Sequence, residues 1–243
     1  MPISVACFYI NCILSWFECL KSNRMQEVLN FLSELKVNNN KEWFDQNRYR
    51  YEESRKKVLF LTELIIHEIN SFDPEIGNQN PKDCVFRIFR DVRFSNDKTP
   101  YKINMGSFIA KGGRKSLGAG YYLHIEPGGS FVGGGAYCPP VDSLKAMRTE
   151  IFDHPEEFKR LISSNSFSRT YPEMYDDKLK TAPKGFPKDF PEIDLLKYKS
   201  YAFTSRIADS AVESDVFVGK VIAAFKELSP VNRFLNSALE KWL

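Results

Sequence analysis

Between Cys84 and Tyr137 the apolar residues of this chain recur at every second position, whereas on either side they recur every third or fourth. A change of period from 3.6 to 2 and back places a block of strands between helical segments. The spacing predicts strands at Val85–Phe94, Tyr101–Ala110, Tyr121–Glu126 and Ser130–Tyr137, with short turns, several of them Gly-rich. Short turns require neighbouring strands to run antiparallel, because a parallel pair needs a long crossover. Upstream, Val28, Leu29, Leu32 and Leu35 mark a helix that Asn38–Asn40 stops. Asn39 with Glu42 has the form of a capping box for a long helix through Trp43, Tyr51, Val58, Leu61, Ile65 and Ile69. Downstream of Pro139-Pro140, helices are predicted behind Asp142 and behind Asp153. A Pro- and Lys-rich stretch, Tyr171–Pro191, precedes a short helix, a strand at Tyr198–Ile207 and two C-terminal helices. The expected fold class is α+β: a single domain whose central, mainly antiparallel sheet is packed by N- and C-terminal helices.

The first 24 residues differ from the rest. Ile3–Phe17 carries no charge and holds two of the five cysteines, Cys7 and Cys12, with Cys19 just beyond. It lacks the basic start and small-residue cleavage site of a secretory signal. Asn11, Ser15 and Glu18 interrupt it before it reaches the ~20 apolar residues of a spanning helix. It reads as an apolar extension outside the domain, with Met25 as the working start of a domain at 25–243; a membrane or export segment and a docking helix are the other readings. The body then has two cysteines, Cys84 and Cys138, without the spacing of a zinc framework. That usage fits reduced thiols in a cytoplasm, and no membrane partner is expected for residues 25–243. With 43% apolar and 27% charged residues, a disordered chain is excluded.

Charge locates a candidate site. Arg87 to Lys115 holds eight basic and two acidic residues, a local +6 in a chain whose net charge is +3. On a strand, Phe86, Ile88, Arg90, Val92 and Phe94 would share one face, setting the Arg90 guanidinium in an apolar stripe where it needs a partner. In the helix after Asp142, Arg148 falls beside the stripe of Leu144, Met147 and Ile151. Two inward arginines near Asp91 and Asp97 make either a closed ion-pair network or a pocket whose guanidinium forks hold phosphate or carboxylate. In the second case the ligand residues are Arg87, Arg90, Arg93, Lys98, Lys102 and Arg148, with Gly134 permitting close backbone approach. Asp91 and Asp97 are then the acid/base candidates. The expected partner is a small phosphorylated or carboxylated molecule, bound and in one version turned over.

Other chemistry is thinner. Gly112-Gly113-Arg114-Lys115-Ser116 is not a phosphate loop, since Gly must directly precede Lys and a helix must follow. His67, His124 and His154 lack metal-ligand spacing and read as structural, so no metal site is assigned, although paired aspartates leave Mg²⁺ open. No cofactor and no oligomeric state follow from these residues. The rival reading is a non-catalytic module whose basic strand, with Lys111, Arg114 and Lys115, meets nucleic acid or an acidic protein, its Phe86, Phe89, Phe94, Tyr101 and Phe108 interleaved as stacking rings. The strand phase would bury Phe86 and Phe94, and a whole-chain charge of +3 is weak for a nucleic-acid binder; both weigh against it.

Five features occur in this order: Trp43-Phe44, the run Arg90-Asp91-Val92-Arg93-Phe94 to Pro100-Tyr101-Lys102, Gly133–Gly135, Arg148, and Pro183-Lys184-Gly185-Phe186. Together they resemble domain of unknown function family 2461 across essentially all of Met25 to Leu243. The resemblance implies a protein of a family found in bacteria and fungi; it carries no activity or catalytic residue to this chain.

Overall fold

A computed structural model describes residues 24–242. The apolar run Ile3–Phe17 and the readings attached to it lie outside the described residues.

Helix α1 (Arg24–Val37) buries Val28, Leu29, Phe31, Leu32 and Leu35 against the body. Its successor α2 (Lys41–Gln46) is capped by Asn40, whose side chain accepts from the Trp43 amide at 2.9 Å. Asn39, the expected cap, is used differently. Its amide group pairs with the backbone of Tyr101 in both senses, accepting at 3.1 Å and donating at 2.9 Å. The expected single helix is broken at Asn47, and α3 (Arg48–Asn70) follows with Val58, Leu61, Ile65 and Ile69 inward. A short turn of helix, α4 (Pro81–Cys84), leads into the sheet region.

The sheet contains β1 (Met105–Ile109), β2 (Gly120–Ile125) and β3 (Phe131–Ala136). Helices α5 (Val141–Asp153), α6 (Pro155–Ser163), α7 (Asn165–Thr170) and α8 (Ile193–Leu196) separate these from β4 (Tyr201–Arg206). The chain closes with α9 (Asp209–Val212) and α10 (Phe217–Trp242). Strand order is β1-β2-β3-β4, every pair antiparallel. This is the expected α+β domain with a helix-packed antiparallel sheet. Two caps shift: α5 starts at Val141, leaving Asp142 in its first turn, and His154 rather than Asp153 precedes α6.

Among the described residues, helices cover the sheet on one face. Ile109, Tyr121, Leu123, Val132 and Phe203 point inward, where α3 and α10 pack. The opposite face carries Phe108, Tyr122, His124 and Phe131, all partly exposed, with Thr204 and Arg206 exposed. Gly134 lets three elements meet: a Cβ there would lie 2.0 Å from the Gly120 carbonyl oxygen and 2.6 Å from the Leu228 side chain of α10. The close approach anticipated at these glycines is therefore made by neighbouring strands and a helix.

The strand expected at Val85–Phe94 does not form, and its partner shortens to β1. Residues 85–104 make an irregular hairpin along the β1 edge, tied by isolated bridges at Val85–Ser107 and Phe89–Tyr101. Backbone bonds from Phe86 N to Gly106 O, Arg90 N to Pro100 O and Lys102 N to Ile88 O continue the pairing as far as Arg90. Beyond it, Pro100 has no amide to donate and the polar residues 91–99 bond among themselves. The expected apolar face survives only at Ile88, which is 2% exposed, whereas Phe94 is 95% exposed.

Candidate functional site

The tip of the edge hairpin is braced by its own charges. Arg90 Nη1 reaches both Asp97 and Thr99, and its Nη2 lies 3.4 Å from the Ser95 hydroxyl. Asp97 also accepts from the Thr99 amide at 2.9 Å, an Asx turn that closes the loop on itself. The Thr99 amide, Arg90 and the Thr99 hydroxyl together hold the Asp97 carboxyl down at about 2. Asp91 is gripped by the Arg93 fork at 2.6 and 2.9 Å, which lowers its pKa too. Lys98 donates to the Val92 carbonyl at 3.0 Å. Arg90 thus sits in a turn rather than an apolar stripe, and Asp91, Arg93, Asp97 and Lys98 are engaged around it.

Arg148 lies elsewhere. On α5 it donates through Nη2 to the Tyr198 carbonyl at 2.8 Å, and its Nε is buried with no hydrogen-bond partner among the described residues. Burial lowers its pKa, partly offset by Tyr201. Tyr201 opens β4, the edge opposite β1. Three strand spacings, ~14 Å, separate those edges, so Arg90 and Arg148 do not line one pocket. Gly134 points into the α10 side, away from both.

Two of the expected ligand residues, Arg87 and Lys102, lie at the base of the hairpin. Lys102 is half-buried, and burial and the neighbouring Arg87 charge both lower its pKa. Among the described residues neither cation makes an ion pair; Arg87 acts on Asp91 only through its field. The Lys102 ammonium stands 5.4 Å over the Phe86 ring, which meets Tyr122 edge-on at 6.2 Å. The Tyr122 hydroxyl rests over Gly106, where a Cβ would come within 2.8 Å of the oxygen.

From there a hydrogen-bonded chain runs along the open face. Tyr122 Oη lies 3.0 Å from His124 Nδ1, and His124 Nε2 lies 2.9 Å from Glu126 Oε2. Burial, then the Glu126 charge, pushes the Tyr122 phenol up to about 12, so at neutral pH it keeps its proton. A carboxylate only accepts, so a neutral imidazole here carries its hydrogen on Nε2 and accepts from Tyr122 through Nδ1. Phe131 stacks on the imidazole at 4.6 Å and 17°, fixing its plane. The signal was present in the sequence: residues i, i+2 and i+4 of a strand share a face, and these three are Tyr, His and Glu. Among the described residues no group of three or more His, Cys, Asp or Glu is placed to hold a metal ion.

Fold and site together define a helix-backed four-stranded α+β domain with a cationic hairpin on one edge and a polar, aromatic open face. Residues 27–234 match the family described as "Conserved hypothetical protein (DUF2461)", and the chain belongs to it. No curated protein and no solved structure matches it. No helix among the described residues is long and apolar enough to cross a membrane.

Proposed function

We propose that this protein binds a phosphorylated or carboxylated small molecule at the base of the β1-edge hairpin, with Arg87 and Lys102 holding its anionic group. The observation that carries this reading is Lys102: a half-buried ammonium beside a like charge, with no carboxylate paired to either. Two adjacent cations repel, and desolvation adds to the cost unless an anion joins them. Perturbed, unpaired cations of this kind cluster at functional sites. The proton-handling groups of this reading are Tyr122, His124 and Glu126. Asp91 and Asp97 serve instead to stiffen the tip, and Arg148 has no part in the site.

A thermal-shift series with inorganic phosphate, phosphorylated metabolites and carboxylates tests it. The wild type is expected to rise in Tm with at least one phosphate-bearing or carboxylate ligand. Lys102→Met is expected to keep or slightly raise the ligand-free Tm, because a desolvated cation is removed, and to lose the ligand response. A response that persists in both Lys102→Met and Arg87→Ala, or no response across the series, contradicts the reading.

A further inference from the structure

One argument against a nucleic-acid partner, the expected burial of Phe94 and Phe86, is reversed by the structure. Phe94 is 95% exposed, Phe89 42% and Phe86 37%, and all three lie along one hairpin. Two of the rings carry a cation: Arg93 stands 5.8 Å from the Phe94 centroid and Lys102 5.4 Å from that of Phe86. The ring at the tip is presented on a prepared support. Arg90, tied to Asp97, Thr99 and Ser95, and Arg93, forked on Asp91, fix the turn before any partner arrives. A bare phenyl ring on a stiff turn loses little freedom when something stacks on it.

We infer that the phosphate-bearing ligand is a nucleotide unit of a single-stranded nucleic acid, its bases stacking on Phe94 and Phe86 and its backbone following Arg87, Lys98 and Lys102. This rests on the proposed anion site, and it adds what that site alone does not explain: rings alternating with cations over a hairpin up to ~30 Å long. Sequence-tolerant single-strand binders combine those two elements, because every base has a face to stack and every nucleotide a charge to neutralise. A duplex hides its base faces and cannot use the rings. An acidic protein would match the charges and leave the bare Phe94 without a role.

The test is fluorescence anisotropy with a labelled oligothymidylate of about 20 nucleotides and a duplex of equal length, from about 50 to 200 mM salt. Binding of the single strand in preference to the duplex is expected, with a log–log salt slope between about −1 and −3. Phe94→Ala is expected to weaken binding about 5- to 100-fold, and Phe94→Trp to restore it. Phe94 touches only Arg93 among the described aromatic and cationic contacts, so these variants keep the fold. Absence of single-strand binding at low salt overturns the inference, as does binding indifferent to Phe94 or equal for the duplex. If phosphate or nucleoside monophosphates still stabilise the wild type through Lys102 while the oligonucleotide does not bind, the inference alone fails. If neither ligand acts, the anion site fails with it.

Discussion

Arg90 keeps its guanidinium inside its own turn, on Asp97, Thr99 and Ser95. The Asp97 pKa is depressed from its ordinary 3.8 to about 2. A depressed carboxylate stabilises the folded turn above its unfolded value, and that contribution is lost as pH falls through the folded one. Asp97 is solvent-exposed, so the effect is confined to the loop. The Thr99 amide resonance is therefore expected to titrate with a midpoint near 2, moving towards 3.8 in Arg90→Ala; a wild-type midpoint near 3.8 contradicts the brace. Period and charge alone identified Arg90 as needing a partner near Asp97. They could not show that the need is met locally, because Thr99 and Ser95 enter only through turn geometry. His124 was passed over for a related reason: judged against other histidines it has no metal-ligand spacing, and its partners become visible only when Tyr122 and Glu126 are placed on its own strand face.

Strands β2, β3 and β4 were legible because each lies on a sheet with one buried face, where alternation is enforced by packing. The segment 85–94 alternates too, yet it borders the sheet on one side only, and past Ile88 none of its residues is buried: Phe89 meets Phe44 and Tyr101 but stays 42% exposed. Alternation records which residues could be buried together; it does not record whether a second layer exists to bury them. The glycines of β3 show the converse. Their sequence allowed a ligand or a neighbouring strand, and the structure fills the space with the Gly120 carbonyl and with α10. Gly134→Ala is expected to cost about 3 kcal/mol or more, since backbone at 2.0 Å cannot yield without parting two strands. Urea denaturation checks this, and a loss below about 1 kcal/mol would show that β2 and β3 are less tightly joined.

On the scale of the whole molecule, the buried stripe of α1 begins at Val28 and is complete by Leu35. The domain proposed at 25–243 contains all of it. Trimming the chain to Met25 is expected to leave one cooperative urea transition; loss of folding would place the apolar extension in the core. The charge is as unevenly distributed as the sequence indicated, with its basic excess carried on the β1 edge rather than spread over the surface. A pocket shared by that edge and Arg148 could not be excluded from the chain alone, because strand order decides which elements are neighbours. Once β4 takes the far edge, the proposed anion site contracts to Arg87 and Lys102 beside Tyr122. Amide chemical-shift mapping during titration with inorganic phosphate tests this placement most directly. The account requires shifts centred on Phe86, Arg87, Lys102 and Tyr122, absent in Lys102→Met. Shifts centred on Arg148 and α5, or none at all, would contradict it.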